Sequence, residues 1–431
     1  MIAAGRLLGR NRDFRRFVAG QFATNAGDSL YTVAVLWLAF ELTGSTLVTG
    51  TLNAILLLPW LLQVFAGPLV DRLPLRSVLV GSQVVQGVVV LVLPLAAVTG
   101  RLRVGLLFVV APVLMLATLV MGPMETALLP RVVDEDRLSE ANSALATVTL
   151  GLDMVFDAIG GGVIAVFGAT TLFLADSLTF AVAAVLFAGI TIGTPANSNE
   201  SGGADESAPS VGSVLRSYGS DLRVGIEVLR GTLFVELILL TAVANFATGV
   251  ALAILPAFGD GLGGPAIYGL LLGALGIGRL VGSILGPYVA GVPYGTVLLS
   301  HGLGAGCWVA AVVAPSPALT VALFGLAWVP IGASGVLTAT LNQRLFPADL
   351  LGRISATKGT ASGATLPLGS LVGGVVADTL GTTTTMALAA GGFGFTAAYV
   401  LLRPRLRRLP AAEAATPDDF DLRTETKRPE P

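Results

Sequence analysis

Four charged residues stand near or past the middle of long apolar stretches, where each costs about 2.5–3.5 kcal/mol at the centre of a bilayer. Asp28 falls at the middle of a stretch near 17–40, Asp153 and Asp157 near the middle of one at 141–167, and Arg279 past the middle of one at 265–289. Asp153 and Asp157 are four residues apart, so both carboxylates project from one helix face. Facing lipid, the three carboxylates would cost roughly 8–10 kcal/mol together. They are therefore expected to line a watery cavity, to bind protons or to pair with Arg279. Two like charges one turn apart repel each other, and a shared proton relieves that repulsion. A cavity holding Asp28, Asp153 and Asp157 attracts a cationic compound and releases it on protonation. An anionic cargo would make Arg279 the binding charge instead.

A second cluster lies in GPLVDRLPLR, from Gly67 to Arg76. A Gly-Pro exit from the apolar stretch is followed by Asp71, Arg72 and Arg76, groups that make charge-assisted bonds to a neighbouring helix terminus in one conformation and release them in another. The remaining chemistry is sparse. Asp176 is expected to make a structural bond near the outer surface, His301 to be a packed or interfacial histidine, and Cys307 to act as a small apolar residue. One histidine and one cysteine leave no zinc site, no Cys-His dyad and no His-Glu-x-x-His pair. No phosphate-binding Gly-Lys-Ser/Thr loop is present, which excludes an ATP-driven pump. Gly302, Gly304 and Gly306 lie inside an apolar helix rather than at a strand–helix turn, so they form no nucleotide loop. No metal and no cofactor are expected.

The elements that must position these residues follow from composition. Of 431 residues, 54% are hydrophobic and only 12% charged, with a mean hydropathy of +0.83; soluble domains carry about 25% charged residues. The chain is an integral membrane protein, and at about 20 apolar residues per crossing twelve transmembrane helices fit. They are expected near 17–40, 47–70, 77–98, 104–125, 141–167, 170–191, 232–257, 265–289, 295–314, 317–339, 356–378 and 383–402. The expected organisation is a cytoplasmic N-terminus over 1–16, a six-helix bundle over 17–192, a cytoplasmic linker over 193–231, a second six-helix bundle over 232–402 and a cytoplasmic tail over 403–431. Arg6, Arg10, Arg12, Arg15 and Arg16 precede the first apolar run without a cleavage site after it, so that helix is expected to stay as a signal anchor.

The stretch 196–210 has too little apolar area to fold and reads as a linker. Residues 211–230 place Val211, Val214, Leu215, Tyr218, Leu222, Ile226 and Leu229 on one helical face, while Arg216, Arg223 and Arg230 recur every seven residues. That helix either lies on the membrane surface with its arginines on anionic head groups or packs against the inner face of the protein. With the N-terminus inside, every basic residue except Arg101, Arg103 and Arg279 falls on the cytoplasmic side, as the positive-inside rule requires. Both termini and the linker are then cytoplasmic. The acidic tail residues Asp418, Asp419 and Asp421 are expected to be solvated.

Internal repeats point to two related halves. A displacement of 219 carries Gly44, Gly50 and Gly67–Pro68 onto Gly263, Gly269 and Gly286–Pro287. One of 213 carries Arg131, Asp136, Gly160, Gly161 and Gly168 onto Arg344, Asp349, Gly373, Gly374 and Gly381. The charged pairs Arg131/Asp136 and Arg344/Asp349 keep the same five-residue spacing and read as secondary gate or loop elements. Gly278, Gly282 and Gly286 repeat every four residues and permit close approach of another helix.

The Gly67–Arg76 pattern resembles the loop 2–3 signature of the major facilitator superfamily. The segments Gly20-Gln21 to Gly27-Asp28-Ser29-Leu30-Tyr31 and Leu129-Pro130-Arg131 to Asn142 resemble proton-driven drug exporters of the macrolide-efflux and enterobactin-exporter type, over roughly 11–405. The resemblance implies a transporter rather than an enzyme, with alternating access, a proton gradient as the energy source, and a cytoplasmic gate of Gly67, Asp71, Arg72 and Arg76. Two departures stand out. Phe156-Asp157 replaces a Gly-Pro pair before Gly160 and Gly161, and an arginine that many relatives carry in the fourth helix has no match.

The function expected is proton-coupled efflux of a lipophilic or cationic small molecule by a monomer in a prokaryotic cytoplasmic (inner) membrane, with no nucleic-acid partner. The alternative is a dedicated exporter of a siderophore or secondary metabolite. Remote alternatives are a transport-dead receptor and an intramembrane aspartyl enzyme using Asp28 and Asp157.

Overall fold

Helices form wherever the apolar runs are long, because a main chain in hydrocarbon must satisfy its own hydrogen bonds. The computed structural model describes residues 11–58, 75–119, 121–134, 137–191 and 211–422. In chain order the main helices are α1 (Arg12–Thr43), α2 (Thr46–Leu57), α3 (Leu75–Val98), α4 (Val104–Thr118), α5 (Met121–Val132), α6 (Leu138–Phe167), α7 (Ala169–Ala188), α8 (Val211–Leu229), α9 (Leu233–Leu262) and α10 (Pro265–Leu285). They continue as α11 (Tyr294–Leu299), α12 (His301–Val312), α13 (Pro317–Ala327), α14 (Val329–Leu345), α15 (Ala348–Gly363), α16 (Thr365–Leu380), α17 (Thr382–Ala389), α18 (Gly391–Leu402) and α19 (Pro404–Arg407). Among the described residues eight helical stretches are long and apolar enough to cross a membrane, and Thr46–Leu57, Val104–Thr118 and Val155–Phe167 are shorter apolar helices. Among these residues the sole β pairing is an isolated bridge between Pro293 and Ala411.

Two compact units form. One comprises Met1–Gly44, Ile55–Arg216 and Gly264–Gly269, the other Ser45–Ala54, Ser217–Gly263 and Leu270–Pro431. The core of the first gathers Phe14, Phe17, Leu79, Met124, Leu128, Leu129 and Phe187. At its edge Arg16 and Arg76 donate to the carbonyls of Gly189 and Ala188. Cations there answer the unpaired carbonyls at the C-terminal end of α7. Arg76, expected in a gate, has this partner; Gly67, Asp71 and Arg72 lie outside the described residues, as does the whole 196–210 linker stretch.

The same two displacements relate local geometry. Gly168 (φ 80°, ψ 159°) and Gly381 (φ 84°, ψ 155°) end α6 and α16 in nearly one conformation, a left-hand region open to glycine. Ser82 Oγ donates to Met121 Sδ in the first unit, while His301 Nε2 faces Ser334 Oγ in the second; adding 219 and 213 converts the one pair into the other. On α10, Gly278 and Gly282 bring the helix onto the carbonyls of Gly325 and Val329, and Gly286 meets Val336.

The amphipathic helix packs against the protein. Asp221 pairs with Arg353 at 2.9 Å, Gly225 lies against Thr357 and the Tyr218 hydroxyl meets Thr360, so α8 docks on α15. Arg223 turns outward and pairs with Glu227.

The tail is more than a solvated end. Asp418, Asp419 and Asp421 are exposed, but Phe420 between them is fully buried and stacks on Phe234 with ring centroids 5.0 Å apart. Leu406, Leu409, Ala412 and Leu422 join the same core. Thr416 and Asp419 form a reciprocal cap, and Arg405 pairs with Asp421. Phe420→Ala is expected to cost about 3–5 kcal/mol, the usual range for an emptied aromatic site. The measurement is thermal unfolding of the detergent-solubilised protein. An unchanged melting temperature would show that the tail contributes nothing to the second unit.

Candidate functional site

Glycine decides where a carboxyl can sit in the first unit. Gly27 of α1 has no side chain, and one built there would collide with Thr179 and with Asp176 Oδ1 of α7. The Asp176 carboxyl therefore lies directly against the α1 backbone. It is fully buried, and among the described residues neither of its oxygens has a hydrogen-bond partner. The neighbouring Thr179 hydroxyl spends its proton on the Asp176 main-chain carbonyl at 2.7 Å, so towards the carboxyl it can only accept. Asp28, one residue after Gly27 and half-buried, is within electrostatic range of Asp176, and both act on Tyr31. The Tyr31 hydroxyl is buried with no partner among the described residues, and its ring packs on Phe173 at 5.8 Å.

Asp157 of α6 is within electrostatic range of Tyr268. Tyr268 is buried and stacks on Trp37. Asp153 lies on α6, its side chain outside the described residues. Arg279 is exposed on α10, and no ion pair to it occurs among the described residues. Arg131 and Arg344 are exposed at the ends of α5 and α14; Asp136 lies outside the described residues, and Asp349 falls in the first turn of α15, its side chain also outside them. Asp176, expected to make a structural bond near the outer surface, is a fully buried carboxyl set beside Gly27 and the Thr179 hydroxyl. The family-like Ala175-Asp176-Ser177 run was the available signal; its burial against Gly27 needed tertiary packing.

The two glycine repeats meet their partners. In the first unit a side chain at Gly161 would strike the main chain of Pro265 and Gly269. In the second, Gly374 faces the main chain of Thr46 and Leu47, and Gly50 faces Ser370 and Gly374. These are equivalent contacts, since Gly161 maps onto Gly374 and Gly50 onto Gly269. The second contact is also clasped by polar groups. Asp378 Oδ1 accepts from Thr46 N at 3.1 Å and from Thr46 Oγ1 at 2.6 Å, and Oδ2 from Ser45 Oγ at 3.3 Å. A carboxylate at a helix start satisfies free N–H groups and the positive end of the dipole. Asn53 Nδ2 donates to Ser370 Oγ, which donates to the Gly249 carbonyl. Sequence reasoning missed Asp378, which stands at the end of an apolar helix like any boundary charge.

The second unit holds a cavity of about 310 Å³ walled by α9, α11, α12, α14, α15 and α18. Lys358 Nζ donates to Asn342 Oδ1 at 2.6 Å and sits 4.7 Å from the Phe234 ring centroid. His301 Nδ1 lies 3.0 Å from the Leu298 carbonyl, so that nitrogen carries the hydrogen. Tyr294 reaches Thr338 Oγ1 at 2.7 Å; Thr338 already donates to Ser334 O, so the tyrosine is the donor. Among the described residues no group of histidine, cysteine and carboxylates is arranged to hold a metal ion.

A family profile described as transmembrane secretion effector matches residues 9–426. No curated protein matches the chain in sequence. Among solved structures, a nucleoside transporter aligns with a TM-score of 0.69 at 10% identity, covering 90% of this chain and 98% of its own. A bacterial homologue of the human lysosomal transporter Spinster aligns at 0.67 and 12% identity, covering 94% and 97%. A bacterial homologue of the iron transporter ferroportin aligns at 0.64 and 17% identity, covering 91% and 98%. At such identities the likeness concerns the fold.

Proposed function

The chain belongs to the transmembrane secretion effector family of the major facilitator superfamily, and from that membership we propose that it is a proton-coupled secondary exporter of a lipophilic small molecule. It is a membrane transporter and not an enzyme. The proposal has twelve crossings in two related six-helix halves, both termini in the cytoplasm, and a monomer working by alternating access in a bacterial inner membrane. A dedicated exporter of a siderophore or secondary metabolite is the same machine with a narrower cavity.

One observation carries the coupling. Asp176 is fully buried with no hydrogen bond to either carboxyl oxygen among the described residues, inside a helix apolar enough to span the membrane. A buried ionised carboxylate without partners is costly, so the group is stable there as the protonated acid. Giving up that proton then requires a rearrangement that brings water or a cation to it. Half-buried Asp28 extends the site towards less buried surroundings, with the buried Tyr31 beside it.

Everted vesicles from a bacterial host stripped of its own exporters test the coupling. On addition of compounds from a dye and antibiotic panel, energised vesicles containing the protein are expected to show compound-dependent proton movement. Vesicles lacking the protein should show none, and a protonophore should stop it. Transport that ignores the protonophore overturns proton coupling.

A further inference from the structure

We infer that the cavity of the second unit is a binding subsite for the anionic group of the cargo, with Lys358 as its cation. The inference rests on the transporter reading above and decides between cationic and anionic cargo. The cavity lining contains lysine, histidine, two asparagines, a tyrosine and hydroxyl groups, and no carboxylate. Lys358 makes no ion pair among the described residues. Its ammonium group has three donors, of which Asn342 takes one, while the face of Phe234 stabilises the charge from another side. Two donors remain for an oxyanion.

The repeat shows that the fold does not need these polar groups. A displacement of 213 maps Asn342 and Lys358 onto Leu129 and Leu145, which pack in the apolar core of the first unit. The second unit has replaced a leucine pair with an amide and an amine around an open space. It has done so with one of only two lysines in a chain otherwise supplied with arginine. A half-buried cation lacking a carboxylate partner costs stability, and a structural role would favour the leucines. Leu237, Leu240 and Ile331 supply apolar wall, and the volume lies at the small end of ligand pockets, about 300–1,000 Å³. The fitting ligand is a compact aromatic or aliphatic acid. Arg279, the cation foreseen for anionic cargo, is outside this lining.

Three probes of one shape test the charge preference: 2-naphthoate, 2-naphthamide and 2-naphthylmethylammonium, titrated calorimetrically into the full-length protein in phosphatidylcholine nanodiscs. Naphthoate is expected to bind about tenfold or more tightly than naphthamide, the scale of a charge-assisted bond, and the ammonium probe weakest. Lys358→Arg should keep a preference for the acid. Lys358→Leu with Asn342→Leu reproduces the first unit's pair, so it should fold and bind acid and amide alike. Equal affinities in the wild type, no naphthoate binding up to its solubility limit, or an acid preference surviving in the double variant each overturns the inference. So does loss of the preference when phosphatidylglycerol is added, which would make a lipid head group the anion. These titrations use no gradient. Compound-driven proton movement in vesicles therefore stands or falls separately, and a failed charge preference leaves the transporter reading in place.

Discussion

Asp176→Asn is expected to reduce gradient-driven transport by about tenfold or more, as the loss of a group the coupled step requires, while the protein still reaches the membrane in normal amount. Asparagine is nearly isosteric and fits beside Gly27, yet it cannot gain or lose a proton. The distinguishing signature is exchange of labelled for unlabelled compound across the membrane. Exchange needs no net proton transfer and should persist, so accumulation fails while counterflow continues. Loss of both together, or of the protein itself, would assign Asp176 a structural role. Asp176→Glu should also be impaired, because the close packing of Asp176, Thr179 and Gly27 leaves no room for another methylene. Asp28→Asn should have the milder effect, since that carboxyl is half-buried.

Gly161→Val and Gly374→Val are expected to block transport by preventing one end of each unit from closing. At both positions a side chain meets main chain rather than the movable end of another side chain. Overpacking there costs about 1–3 kcal/mol or more, and every 1.4 kcal/mol shifts a two-state equilibrium about tenfold. On the proposed alternating-access cycle, the contacts of Gly161 with Gly269 and of Gly374 with α2 would belong to one conformation, so the variants should accumulate in the other. Maleimide labelling of Thr49→Cys, a position fully buried in this structure, in a Cys307→Ala background reads this out. Labelling should rise in Gly374→Val, and also in Asp378→Ala, which removes the carboxylate clasping Ser45 and Thr46. Labelling unchanged by either substitution would make these contacts mere static packing. Gly162→Val is the control, because nothing lies near that position.

Much of this molecule was legible in the residue string, and the reasons are specific. Apolar runs near 20 residues announce membrane helices because hydrocarbon tolerates no open backbone. The pairing of Gly50 with Gly269 and of Gly161 with Gly374 by two displacements was visible as spacing, and in the structure those glycines are contact surfaces. The apolar face of 211–229 was visible too, but its partner helix, reached through Asp221 and Arg353, was not. Phe420 hid among three aspartates, and local composition there argues for solvent.

The chemistry was less legible. Asp28 and Asp157 stood out as acidic and mid-helix, but only packing shows Asp28 near Asp176 and Tyr31, and Asp157 near Tyr268. Lys358 drew no notice in the sequence, and only the packing of Asn342 and Phe234 around it shows where it sits. By itself the sequence determined the solvent of the fold, its helices and its repeat, since those depend on hydropathy and spacing along one chain. Tertiary structure alone decided which carboxyl is buried without a partner and which cation faces a cavity. Both depend on what lies across the gap between helices, and neighbours in sequence do not encode that.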